Sequence, residues 1–134
     1  MPPTSTTRII GPFAVAWNDA GIANGAPIGP TLAAGSIVAG AWVAPTQSFN
    51  GDDPTLNTWY VVAGDPNVDG LQVAGGRGLE FDTGGAHSVL SDLTQGPYLA
   101  VLPDARQLYV VVQEQPNVSQ GSFNVYALIQ APSR

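Results

Sequence analysis

The chain has 134 residues, a formal net charge of −6 and only 10% charged residues, with 16 glycines and 12 prolines. This length predicts one domain, and the acidic balance argues against binding to nucleic acid or to an anionic membrane. The absence of cysteine excludes disulfides, thiolate metal sites and cysteine nucleophiles. The many glycines and prolines favour short strands that are joined by tight turns.

Residues 1–7 are rich in proline, serine and threonine and predict an extended arm ahead of a single domain over residues 8–134. Residues 8–17 predict a strand that Gly11 and Pro12 divide. We expect it to be an edge strand, because proline has no N–H to donate to a neighbour.

This first strand supplies the candidate interface residues, which are Arg8, Ile9, Ile10 and Phe13. Arg8 is the only positive charge near the arm and would seek a carboxylate or carbonyl on a neighbouring subunit. The three apolar residues would add a strand to the sheet edge of a partner. The alternative is that residues 9–15 form the first strand of the protein's own sandwich and that binding occurs through loops.

Further strands are predicted along the rest of the chain. Residues 35–43 are apolar on both faces and predict a central strand, whereas residues 122–130 alternate strictly between apolar and polar positions. Gly75 and Gly76 are predicted to lie in a turn between short strands. The remaining predicted strands cover residues 58–63, 71–74, 79–82, 87–90, 98–102 and 107–113.

About eight to ten strands at this spacing, without a sustained helical period, predict an all-β protein. The architecture favoured is an antiparallel β-sandwich that is jelly-roll-like, with a closed barrel as the alternative. The predicted buried residues are Ile37, Trp42, Val43, Trp59, Val61, Tyr109, Val111, Phe123 and Val125.

The loop from Asp65 to Gly70 matches the first half of a calcium-binding loop, since oxygen-bearing side chains alternate before a glycine. Its second half does not match, because Gly76 stands where a bidentate glutamate belongs. A complete EF-hand loop is therefore excluded, and a polar turn is favoured over a looser calcium site. We expect no metal and no cofactor.

The residues offer little for catalysis. His87 is the only histidine, and no nucleophile motif accompanies it. Catalysis by a pair of carboxylates requires that an apolar environment raise the pKa of one above that of the other. None of the carboxylates lies in an apolar stretch of the sequence that would do so. The prediction is therefore that the protein is not an enzyme. An alternative use of the aromatic residues is a sugar-stacking face, formed from Trp17, Trp42, Trp59, Tyr60 and Tyr98.

The first half of the chain carries a series of short motifs. They are Asn18-Asp-Ala-Gly21-Ile, then Leu32-Ala-Ala-Gly35-Ser-Ile-Val38, then Ser48-Phe-Asn-Gly51, and the Ala63-Gly64-Asp65 that follows a strand. In this order they resemble small β-rich virion proteins of tailed bacteriophages. The resemblance covers about the first half of the chain, and the second half shares only its glycine-punctuated, strand-rich style.

The resemblance implies a structural virion protein of the capsid decoration (cement) type. Such a protein is made in the host cytoplasm, binds the major capsid protein or other virion subunits on the capsid surface, and is often a homotrimer. No catalytic residues are implied. The alternative is a carbohydrate- or receptor-binding sandwich module of a phage head fibre or tail, and a small hydrolase is a distant third.

Overall fold

The computed structural model describes residues 7–77, 79 and 100–132. Within these residues the regular structure consists of strands and one short 3-10 turn over Pro54–Leu56. The strands are β1 (Thr7–Ala16), β2 (Ala26–Leu32), β3 (Ile37–Gln47), β4 (Thr58–Ala63), β5 (Leu71–Gly76), β6 (Ala100–Val101), β7 (Arg106–Gln113) and β8 (Ser122–Gln130). No helix in the described ranges is long and apolar enough to cross a bilayer.

The strands pair in a nested order. Strand β1 pairs with β8, β2 with β7, β3 with β6 and β4 with β5, all antiparallel. This is the pairing of one long hairpin, and two further pairings, β3 with β8 and β4 with β7, wind it into two sheets. The sheets have the orders β1-β8-β3-β6 (the first sheet) and β2-β7-β4-β5 (the second sheet). This arrangement is a jelly-roll sandwich, which confirms the predicted fold class.

Strand β1 lies at an edge of the first sheet, as its Gly11-Pro12 step predicts. Its register against β8 shifts between Ile10 and Phe13, where the glycine and proline form an irregularity. The strand begins at Thr7, one residue before the predicted domain boundary, and the rest of the predicted arm lies outside the described residues.

Strand β2 has no counterpart among the predicted strands, because its sequence carries Pro27, Gly29 and Pro30. Such residues are tolerated at a sheet edge, where the missing N–H faces away from the partner. Strand β2 is the edge of the second sheet beside β7. The predicted strands at residues 79–82 and 87–90 lie outside the described ranges, except for the buried Leu79.

The core lies between the two sheets and is built from the inward positions of each strand. Trp59 is fully buried at its centre and donates its indole N–H to the carbonyl of Arg77 at 3.1 Å. Phe49 and Phe123 pack together with ring centroids 5.9 Å apart. Six of the predicted core residues are buried, namely Val43, Trp59, Val61, Val111, Phe123 and Val125.

The prediction was wrong for the other three, because Ile37, Trp42 and Tyr109 are only half-buried. Trp42 and Tyr109 lie on the outer faces of their sheets. Side chains alternate between the two faces of a strand, and the residues on either side of Trp42 and of Tyr109 face the core. The prediction of a turn at Gly75 and Gly76 was also wrong, because both residues are buried within strand β5.

Candidate functional site

All four candidate interface residues lie in β1, but the strand divides them between two environments. Arg8 and Ile9 are exposed, and the Ile9 residue is 59% accessible. Ile10 and Phe13 instead pack against the hydrophobic core. The structure therefore makes residues 9–15 part of the protein's own first strand, as in the alternative interpretation, and leaves Arg8 and Ile9 accessible.

Phe13 is committed to the fold by its contact with β2. Its ring lies over Gly29, where an added Cβ would come within 2.8 Å of the ring, and Gly29 has the left-handed φ of 70°. The ring therefore occupies space that any larger residue at position 29 would fill. This contact joins the edges of the two sheets, so Phe13 contributes to stability rather than to a free surface.

Ile9 belongs to an apolar area on the outer face of the first sheet. It pairs with Leu128 across β1 and β8, and Leu128 lies between two buried residues, which directs its side chain outward. Tyr126 lies two residues away on the same face and stacks on Trp42, with ring centroids 6.0 Å apart and planes inclined by 13°. We call Ile9, Leu128, Tyr126 and Trp42 the outer patch.

The outer face of the second sheet has a different shape, because a groove of about 360 Å³ lies there. Its polar lining comes from Tyr60, Gln72 and Gln113, on strands β4, β5 and β7. Among the described residues, none of these three side chains has a hydrogen-bond partner. The rest of the lining is formed by Val62, Val111, Pro66 and Gly70.

Gly75 determines the shape of this groove. It pairs with Tyr60 across β4 and β5. A Cβ at position 75 would lie 2.8 Å from the Tyr60 ring and 3.0 Å from the Gln72 amide nitrogen. The glycine thus leaves room for both side chains at the groove. Sequence reasoning missed Gln72 and Gln113, because a glutamine on a strand gives the same pattern as any solvent-facing polar residue.

The five aromatic residues of the alternative sugar-stacking face do not form one surface. Trp59 is fully buried, and Trp17 packs against the core. Trp42 lies on the outer face of the first sheet and Tyr60 on that of the second sheet, whereas Tyr98 lies outside the described residues. Of the four aromatic residues that the structure describes, Tyr60 is the one that lines the groove on the second sheet.

The calcium-like loop is organised as a polar turn. Asp65 accepts a hydrogen bond from the backbone N–H of Asn67 at 2.8 Å, and Asn67 donates its amide to the carbonyl of Asn24 at 3.1 Å. The Asp69 carboxylate accepts a hydrogen bond from the Arg106 guanidinium at 3.1 Å, so its negative charge is already paired with a cationic side chain. This arrangement supports the polar turn over a calcium site.

Arg106 connects that loop to the start of β7. Its guanidinium donates to Asp104 at 2.6 Å and to the backbone carbonyl of Asp69 at 2.8 Å, and its side chain is only 9% accessible. The hydrogen bond to Asp104 raises the pKa of Arg106, while burial opposes this change. The residue holds the loop in place against the start of β7.

His87 lies outside the described residues, as do Glu80, Asp82 and Asp92. In the described part of the chain, no group of three or more histidine or acidic side chains is placed to hold a metal ion. Charged residues in that part lie in loops or at strand ends, with Arg8 and Arg106 as the two inside strands. As far as the described residues go, both outer faces are therefore almost free of charge.

Comparisons of the chain with family models, with curated proteins and with solved structures give no match. The fold and the two outer faces are therefore the observations from which a function is argued.

Proposed function

We propose that the protein is a capsid decoration (cement) protein, which binds the outside of an assembled bacteriophage head and stabilises it. The motifs in the first half of the chain support this role by their resemblance to small virion proteins. The jelly-roll sandwich is a fold that viral capsid domains use often. Fold alone does not determine function, so the proposal depends on a surface that suits attachment.

The observation that carries the proposal is the outer patch together with the edge of β1. The cores of protein interfaces are depleted in charge and enriched in aromatic residues. The patch has this composition, since it combines the Trp42–Tyr126 stack with Leu128 and Ile9. Arg8 is the neighbour of Ile9 and forms no ion pair with a described residue. Because Arg8 pairs with the buried Ile129, its side chain leaves β1 on the opposite face from Ile9 and would meet a partner only along the edge of the strand.

Strand β1 offers a second mode of contact through its backbone. Only β8 pairs with it among the described strands, which leaves the N–H and C=O groups of its other edge available. An extended segment of a shell subunit would add to this edge through main-chain hydrogen bonds. Ile9 would then fill a pocket beside the added strand.

The test is binding to purified heads that lack the protein, with Ile9→Lys as the variant. A lysine within the contact would leave a charge buried and unpaired, so we expect occupancy to require at least about tenfold more protein. Val101→Lys is the matched control, because Val101 is also 59% accessible and lies in β6, on the opposite edge of the same sheet. Equal occupancy for the two variants would contradict the proposal.

The same heads distinguish the arm from the patch. Deleting residues 1–6 removes all of the predicted arm (residues 1–7) except Thr7, which is the first residue of β1. Lost binding would assign the attachment to the arm, and unchanged binding would assign it to the folded domain. A protein that binds only the assembled shell favours assembly by mass action. Heads that carry it should therefore resist heat better than bare heads. Sedimentation of the protein in solution tests the separate prediction that it is a trimer.

A further inference from the structure

We propose that the groove on the second sheet binds a neutral saccharide. Tyr60, Gln72 and Gln113 reach it from three adjacent strands and have no described hydrogen-bond partner. Its volume of about 360 Å³ lies at the lower end of the range of about 300–1,000 Å³ for small-molecule sites. A site of this size accommodates a short stretch of a glycan.

The polar groups of the groove match hydroxyl chemistry. A sugar hydroxyl both donates and accepts a hydrogen bond, and a primary amide offers both a carbonyl oxygen and an NH₂ group. Gln72 and Gln113 are exposed on either side of Tyr60, since β4 lies between β5 and β7. Two amides in these positions are able to bind hydroxyls on opposite sides of one sugar ring.

The apolar part of the groove matches the other face of a sugar. Tyr60 is half-buried, and the side chains of Val62 and Val111 lie close beside it with little exposure of their own. The ring of tyrosine presents an apolar body with a polar tip. The C–H groups of a pyranose ring would pack on this surface while its hydroxyls face the amides.

Charge narrows the ligand class. Among the residues that the structure describes, no charged side chain lines the groove, and the chain as a whole has a net charge of −6. A sulfated or sialylated glycan would find no cation there and would be repelled by the acidic chain. A cationic ligand would find no carboxylate among the described lining residues. The lining therefore favours an uncharged polyol.

This site is separate from the surface proposed for attachment to the shell. The groove lies on the outer face of the second sheet, whereas the outer patch lies on the first sheet. A protein attached through the first sheet would keep the groove accessible from solution. The inference does not depend on attachment, and either proposal stands if the other fails.

The experiment is a binding screen of the full chain against immobilised neutral glucans, mannans, galactans and xylans, with sialylated and sulfated glycans for comparison. We expect a neutral glycan to bind with a Kd of about 1 mM or tighter. Tyr60→Ala should weaken that binding about tenfold or more, because it removes the stacking surface. Gln113→Ala tests the same site at an exposed position whose replacement leaves the fold intact.

Tyr126→Ala is the control, because Tyr126 is also half-buried on an outer sheet face but belongs to the outer patch. Its glycan binding should equal that of the unchanged chain. The proposal is overturned if no neutral glycan binds, if only acidic glycans bind, or if Tyr60→Ala and Gln113→Ala bind as well as Tyr126→Ala. Protection of β4 and β5 from hydrogen exchange on the particle would assign the groove to a protein contact instead.

Discussion

The outer faces of the two sheets are similar in chemistry and different in shape. Both are nearly free of charge in the described residues, and both carry a half-buried tyrosine beside aliphatic side chains. On the first sheet Tyr126 is covered by the stacked ring of Trp42, with centroids 6.0 Å apart. On the second sheet Tyr60 stands opposite Gly75, which has no side chain to cover it.

The two tyrosines therefore differ in one cross-strand partner, which is Trp42 for Tyr126 and Gly75 for Tyr60. A tyrosine that stacks on tryptophan contributes to a filled apolar surface, which suits contact with another protein. A tyrosine opposite glycine forms part of a concave surface with amides on both sides, which suits a small polar ligand. The amino-acid composition of the two faces would not distinguish them, because strand register decides which residue lies opposite each tyrosine.

The largest expected effect is on the free energy of unfolding, and it distinguishes a tryptophan of the core from a tryptophan of the outer patch. Trp59→Ala removes a fully buried indole and should lower the free energy of unfolding by about 3–5 kcal/mol. Trp42→Ala removes a half-buried ring and one stacked pair, so we expect a loss of only about 1–2 kcal/mol. Urea unfolding of both variants measures the difference. Equal losses would mean that Trp42 belongs to the core and that the first sheet has no surface patch.

The next effect concerns the groove. Gly75→Ala places a methyl group 2.8 Å from the Tyr60 ring, and the forced shift should cost about 1–3 kcal/mol of stability. The double variant with Tyr60→Ala should recover much of this loss, because the side chain that clashes is gone. Unfolding measurements on the single and double variants form the cycle. Strictly additive losses would show that Gly75 does not shape the groove.

The smallest effect involves Glu114, which directly follows β7. The Oε2 atom of its carboxylate is buried and has no hydrogen-bond partner among the described residues. Burial raises its pKa above the ordinary value of 4.5. The folded protein therefore holds this proton to higher pH than the unfolded chain does. The associated stability is present in full below the unfolded pKa and is lost as the pH rises through the folded pKa.

Glu114→Gln removes this titration. We expect the variant to be slightly more stable than the unchanged chain at neutral pH and to show a flatter dependence of Tm on pH above 4.5. Asp53→Asn, at an exposed loop carboxylate, is the control, because it removes the same formal charge without a buried carboxylate oxygen. A stabilisation that is equal for both variants would point to net charge rather than to burial of Glu114.

Much of the fold followed from local pattern. The strict alternation in β8 and the continuous apolar run in β4 predicted both strands at their observed bounds, because alternate burial is a local property of a pleated strand. Strand β2 was missed, since two prolines and a glycine in seven residues look like a loop unless a neighbouring strand is known to accept them at its edge.

The candidate sites depended more on tertiary structure. The sequence showed that Arg8, Ile9, Ile10 and Phe13 lie on one strand, but the register against β8 and the contact with Gly29 decided that Phe13 packs inward. The loop at Asp65 was predicted to be a polar turn, but nothing in the sequence indicated that Arg106, distant along the chain, would pair with Asp69. Such contacts join residues far apart in the chain, so no local pattern contains them.

The sequence by itself determined that this is an acidic, cysteine-free domain of short strands with an apolar core, because composition and alternation act residue by residue. The tertiary structure alone decided that β2 became the edge of the second sheet, which tyrosine gained a stacking partner and where a groove opened. The physical reason is that register aligns side chains from separate parts of the chain, and a shift of one residue would exchange the inner and outer faces.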